Sequence, residues 1–182
     1  MAVGDGWDPP PEAHPWSDFH WWKVSPGRVL ELVILSEAPL WYTGHFLRGR
    51  MRPCYGDDCE ECKKGTGGQI RYVLAGVEVS SRRVGLLELG RAVGLQIRDY
   101  AQSMGTARGM WLEFGKESHA KQSRMIVQMI EKPVEIDWME LSVPNMKEAL
   151  VATWTKAQIP LPEGFTATRS KPPNVGRFQR PG

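Results

Sequence analysis

The stretch His45 to Cys62, H-F-L-R-G-R-M-R-P-C-Y-G-D-D-C-E-E-C, holds all three cysteines of the chain and one of its four histidines. The spacing is H-x8-C-x4-C-x2-C, and a C-x2-C pair lets two thiolates meet one metal ion. His45, Cys54, Cys59 and Cys62 therefore make a candidate Cys3His set, the ligand type of a closed, tetrahedral structural zinc site. His14, His20 and His119 are rival fourth ligands to His45. Three unrelated buried thiols would need an apolar run to belong to, and this segment of Pro, Gly and carboxylates has none.

Three thiolates and an imidazole saturate zinc, whereas catalytic zinc keeps an open position. The zinc-deaminase pattern H-x-E with P-C-x-x-C fails here: Leu47 occupies the glutamate position, and four residues separate Cys54 from Cys59. The chain is read as a binding protein and not an enzyme. Other chemistry-bearing stretches have simpler readings. Gly65, Gly67 and Gly68 lack phosphate-loop spacing and precede a strand, so they form a turn. Ser118 and His119 have no nucleophile setting, and Asp57, Asp58, Glu60 and Glu61 keep the cysteine loop wet.

Working outward, R-V-L-E-L-V-I-L-S-E from Arg28 is rich in strand formers and bounded by Pro26-Gly27 and Pro39. A second strand is predicted over 40–52 and a third from Gln69, with the cysteine loop between them. A connection of about sixteen residues inside a compact domain requires an explanation, and a metal supplies it. Leu86, Leu89, Val93, Ile97, Tyr100 and Met104 recur at helical spacing and predict a helix from Gly85 that Gly105 stops. Gly90 and Gly94 inside it suggest close packing on the sheet. M-W-L-E-F-G and S-R-M-I-V-Q-M-I predict two more strands. Pro144 or Asn145 starts a last helix that ends at Pro160.

The order β-β-β-α-β-β is that of the OB-fold, a mainly β, partly open barrel that binds oligonucleotides. The expected organisation is a Trp/Pro-rich extended arm over 1–26, and an OB-fold domain over 27–160 with its zinc loop at 45–66 and an extra C-terminal helix. A basic tail over 161–182 is expected to be disordered. The arm is read as docking on its own domain through Trp16, Phe19, Trp21 and Trp22.

Alternation along the second strand puts Tyr42, Phe46, Arg48, Arg50 and Arg52 on one face. The other face carries Trp41, Thr43, His45, Leu47 and Met51, the pattern of core plus a metal ligand. Arg71 and Tyr72 on the third strand, Lys63 and Lys64 before it, and Arg82 and Arg83 after it extend the cationic and aromatic set. Cations that neutralise phosphates and rings that stack bases are the composition of a single-strand groove. An edge strand protected by charge is the plainer account, but it does not ask for aromatics between the arginines.

With the Cys3His cluster lodged in a barrel-like pattern, the sequence resembles the phage single-stranded DNA-binding proteins of the T-even type, whose OB-fold carries a zinc subdomain. The likeness covers His45, Cys54, Cys59 and Cys62 and the element order from about 28 to 132, with different ligand spacings. It implies that the zinc subdomain buttresses a cleft lined by Tyr42, Phe46, Arg48, Arg50, Arg52 and Tyr72. That family's acidic C-terminal tail is replaced here by Arg169, Lys171, Arg177 and Arg180.

Net charge of +2 names no partner by itself. The acidic N-terminus lacks a secretory apolar region, no run reaches membrane-spanning length, and clustered cysteines fit a reducing cytoplasm. The expectation is sequence-tolerant binding of single-stranded DNA in replication or recombination of a phage or mobile element. Replication proteins are further expected partners, through the arm or the tail. Two alternatives stand beside it: a zinc-stabilised adaptor of a replication or transposition complex, and an RNA-binding OB-fold protein.

Overall fold

A computed structural model describes residues 20–118, 123–132 and 135–162. Trp16, Phe19, His14, His119 and the four basic residues of the tail lie outside these residues. Strands dominate: β1 (His20–Trp22), β2 (Leu30–Ile34), β3 (Leu40–Leu47), β4 (Arg50–Pro53), β5 (Gln69–Glu78), β6 (Val84–Gly90), β7 (Trp111–Lys116) and β8 (Met125–Met129). The helices are α1 (Glu60–Lys63), α2 (Arg91–Met104) and α3 (Met146–Lys156).

The strands form one mixed sheet in the order β1-β6-β5-β2-β7-β8. The β1–β6 pair is parallel and the other pairs are antiparallel. The ten-residue β5 divides one of its edges. Its last residues, Gly76 to Glu78, meet β2, and its first half, Gln69 to Val73, meets β3. β4 pairs with the outer edge of β3. The sheet is not closed into a barrel, yet it curls: Trp22 and Val24 beside one end share a core with Phe114 and Val127 near the other. Among the described residues no helix is long and apolar enough to cross a membrane.

β2 is apolar on both faces because each is covered, Leu32 and Ile34 in one core cluster and Val33 in another; all three are fully buried. One face of the sheet packs Leu32, Leu74, Leu87 and Leu89 against Val93 and Ile97 of α2. The other packs Tyr42, Val73, Ala75 and Leu86 against Leu150 and Trp154 of α3. Asn145 caps α3 by accepting from the Glu148 N–H at 3.2 Å.

Two sequence expectations are corrected. Val84–Gly90 is a strand, and α2 starts only at Arg91 with Gly90 as its extended N-cap. Leu86 and Leu89 do recur with the helix residues, but they belong to β6 and point into opposite layers, Leu86 under α3 and Leu89 under α2. Met104 is exposed and outside the apolar face. The predicted second strand is likewise two strands. Arg48 (φ 50°) and Gly49 (φ 81°) form a two-residue turn with both residues left-handed, the geometry that suits the twist of a tight hairpin.

That turn reverses the facing of the arginines. Directly opposed residues of an antiparallel pair share a face, and the register sets His45 opposite Arg52, Phe46 opposite Met51 and Leu47 opposite Arg50. Arg50 and Arg52 therefore lie on the His45 side of the hairpin, not with Tyr42 and Phe46, and Arg48 is in the turn itself. At the end of the expected arm, Trp21 and Trp22 sit in β1, and Trp22 is buried in the core.

Candidate functional site

The β3–β4 hairpin and the knuckle after it bring the metal-ligating groups together. His45 comes from β3, Cys54 follows β4, Cys59 is the N-cap of α1 and Cys62 lies in its single turn. The Cys54 N–H bonds the Thr43 carbonyl at 2.8 Å and holds the start of the loop to the hairpin, while the Lys63 N–H bonds the Cys59 carbonyl at 3.0 Å and closes the helical turn.

The four ligand atoms lie within 4.8 Å of one another. His45 Nε2 is 3.2 Å from Cys59 Sγ and 3.5 Å from Cys62 Sγ, and Cys54 Sγ is 3.6 Å from Cys62 Sγ. Around a tetrahedral zinc, the usual bond lengths place two sulfurs about 3.8 Å apart and sulfur about 3.5 Å from nitrogen. The observed separations match those edges, so the donor set fits a structural metal. His45 is 1% exposed and aims Nε2 at the thiols, while its buried Nδ1 has no hydrogen-bond partner. Of the rival histidines, His20 is exposed in β1 with its ring edge-on to Trp22.

The thiols are electrostatically unequal. Burial pushes Cys59 up, but the backbone N–H groups of Tyr55, Cys62 and Glu61 and the Cys54 thiol outweigh it and hold it near 6. Cys62 is pushed up to about 11, first by its hydrogen bond with Cys54 and then by burial and the other thiol. Of the nearby carboxylates, Asp58 pairs with Lys63 at 3.7 Å and Glu61 with Lys64 at 3.1 Å, which leaves both lysines at the exposed surface of the knuckle. The metal-ligating group of His45 and the three cysteines is the one such cluster among the described residues.

A groove of about 780 Å³ opens between the hairpin tip, β1, β6 and α3. Its lining includes Phe46 and Arg50 from the hairpin, Arg71 from β5, Glu88 from β6 and Lys116 from β7. Trp21 and Lys23 contribute from the arm, and the Trp21 indole N–H donates to Thr153 Oγ1 of α3 at 3.1 Å. Lys116 Nζ donates to the Ser123 carbonyl at 3.1 Å and stays at the groove. Phe46 is 58% exposed, a free ring beside cations.

The floor of the groove carries a polar network. The Tyr42 hydroxyl donates to Glu88 Oε2 at 3.1 Å, and Arg71 Nε lies 3.4 Å from Glu88 Oε1. Burial raises the Glu88 carboxyl, against Arg71 and the Tyr42 hydrogen bond, which lower it. Burial and the neighbouring Glu88 raise Tyr42 strongly.

Of the eleven expected nucleic-acid contacts, the groove brings together Phe46, Arg50 and Arg71. Tyr42 is corrected from surface to core: it is 3% exposed, with its ring edge-on to Trp154 at 5.3 Å, and offers no face for stacking. Tyr72 packs against α2, where a Cβ on Gly94 would stand 2.1 Å from its ring. Arg52 is half-buried on the His45 side, Arg48 is in the hairpin turn, and Lys63 and Lys64 are on the knuckle. Arg82 and Arg83 lie in the β5–β6 turn, where Arg82 donates to the Glu135 carbonyl at 3.0 Å.

Sequence reasoning missed Trp21, Lys23 and Lys116 as groove residues, because only the curl of the sheet brings residues so far apart in the chain together. It also placed Trp41 in the core. Trp41 is 63% exposed and, with Pro53 and Pro162, borders an apolar pocket of about 400 Å³ beside the metal knuckle. Comparisons with protein-family models, curated proteins and solved structures found nothing that matches this chain.

Proposed function

We propose that the protein binds single-stranded DNA in this groove, as a zinc-stapled OB-fold protein of the cytoplasm acting in replication or recombination of a phage or mobile element. The observation that carries the reading is the joint lining of one groove by the exposed Phe46 ring, the Trp21 indole and the cations Lys23, Arg50, Arg71 and Lys116. Rings stack bases at about 1–3 kcal/mol each and cations neutralise phosphates, whatever the sequence.

The strand pairing supports the OB reading in a revised form. β2, β5, β6, α2, β7 and β8 keep the order of three strands, a helix and two strands, with β2 pairing both β5 and β7. The β3–β4 hairpin and metal knuckle are then an insertion between the first and second of these strands. OB-folds bind oligonucleotides on the face of strands 2 and 3 and with the loops joining strands 1–2 and 4–5. Arg71 and Glu88 come from the matching strands, Phe46 and Arg50 from the first loop, and Lys116 and Met125 from the base of the second. In this chain α3 covers part of that face, so bound DNA follows its open margin. Zinc, held by His45, Cys54, Cys59 and Cys62, supplies only fold stability and rigidity of the hairpin that presents Phe46 and Arg50.

The test is fluorescence anisotropy of the zinc-loaded protein with a mixed-sequence single strand, its duplex and its RNA counterpart at several salt concentrations. Preference for the single DNA strand is expected, with log affinity falling against log salt by about 0.7 per phosphate contacted. Replacing Arg50 and Lys116 with Ala lowers that slope by about 0.7 each. A flat salt response, or equal binding of the double variant, refutes the groove. The exposed Trp41 pocket favours a second reading, a zinc-stabilised protein-interaction module. It predicts a protein partner lost on Trp41→Ala and no affinity for oligonucleotides.

A further inference from the structure

The groove is not uniformly cationic. Arg50 and Lys23 are exposed at its margin, whereas its floor holds a carboxylate, Glu88, whose side chain is 29% exposed beside Arg71 at 23%. A floor built for phosphate would exclude that carboxylate, since like charges in a partly dehydrated site repel strongly. Glu88 therefore faces a neutral part of the ligand that offers N–H donors. In a single strand whose phosphates follow the cationic margin, that part is the edge of a base.

The geometry around Glu88 narrows the base. Oε2 accepts one hydrogen bond, from Tyr42, and Oε1 has one neighbour, Arg71 Nε. Each carboxylate oxygen accepts at two positions, and Arg71 Nε is an ion-pair neighbour that makes no hydrogen bond, so each oxygen retains at least one acceptor position. Two adjacent oxygens with spare acceptor capacity match two adjacent donors, and guanine alone among the DNA bases carries them, at N1–H and the N2 amino group. Guanine O6 is an acceptor on the same edge, and the guanidinium of Arg71, with donors beyond Nε, stands next to the carboxylate.

We infer that Glu88 and Arg71 form a base-reading pair that selects guanine within the groove, so that binding tolerates sequence along most of the strand but is favoured where a guanine occupies this position. The inference rests on the single-stranded DNA reading and deepens it. Tyr42 is a positioning residue here: its hydroxyl orients the carboxylate from the buried side.

The experiment compares thymidine oligomers of about 16 nucleotides, an upper site size for one OB-fold, carrying either one central deoxyguanosine or one central deoxyinosine. Inosine lacks only the N2 amino group. The zinc-loaded wild type is expected to bind the guanine strand at least about tenfold more tightly, the worth of one hydrogen bond to a charged acceptor. Glu88→Leu, which has no acceptor for the N2 amino group, should abolish the difference while a thermal melt reports its fold. Equal wild-type affinity for the two strands overturns the inference and needs no variant. If both strands bind tightly and equally, the DNA reading survives without base selection. If neither binds at low salt, both readings fall.

Discussion

Cys59 is the most buried of the three thiols, at 2% exposure, and caps the helical turn that carries Cys62. Cys59→Ser removes one of the four candidate metal ligands and a sulfur toward which three backbone N–H groups point. The expected outcome is loss of bound zinc, measured by elemental analysis, and a large fall in melting temperature that a chelator reproduces in the wild type. Structural zinc contributes about 10 kcal/mol or more to small zinc-dependent folds, so the knuckle and hairpin should loosen first. Glu88 sets a different dependence. Its folded value is raised, by burial above all, over the ordinary 4.5, so the native chain holds this proton to higher pH than the unfolded chain does. The stabilisation is complete below the unfolded value and is lost as pH rises through the folded one. Urea midpoints measured upward from 4.5 should therefore decline in the wild type, and Glu88→Gln should flatten that part of the profile.

At the scale of elements, close approach decides more than propensity. Gly94 costs α2 some intrinsic stability, yet the helix meets β5 so closely that any Cβ there would overlap the Tyr72 ring. Gly94→Ala, favourable in an isolated helix, is expected to destabilise the protein by about 1–3 kcal/mol in chemical denaturation. An unchanged midpoint would mean that Tyr72 can swing aside. β6 shows the complementary effect. Its Leu86, Leu87 and Leu89 fit a helical period only until a sheet supplies partners on both faces. Seven consecutive pairs with β5, from Arg71–Gly90 to Val77–Val84, commit the segment to a strand.

Across the whole molecule, the described end of the arm, from His20 onward, belongs to the fold. Trp22 is 6% exposed and shares a core with Leu87 of β6 and Phe114 of β7, while Trp21 reaches α3. Trp22→Ala should cost about 3–5 kcal/mol, as for other buried aromatics. Limited proteolysis should then release the arm early. The same arrangement ties the arm to the groove, since β1 carries Trp21 and leads directly into Lys23.

The cluster of His45 with the three cysteines was legible in the chain because a C-x2-C pair is a local matter, settled by two thiols a helical turn apart and a histidine on the strand before them. The Asn145 cap, the Gly105 stop, with φ 83°, and the crowded Gly94 were legible for the same reason: each follows from backbone geometry within a few residues. The groove was not. Alternation predicts facing only while a strand continues, and the reversal at Arg48-Gly49 moved Arg50 and Arg52 to the other face. The burial of Tyr42, the exposure of Trp41 and the meeting of Lys23, Arg71 and Lys116 depend on α3 and on the curl of the sheet. Long-range packing selects among facings that neighbouring residues leave equal in energy, so only the folded molecule decides which side chains share a surface.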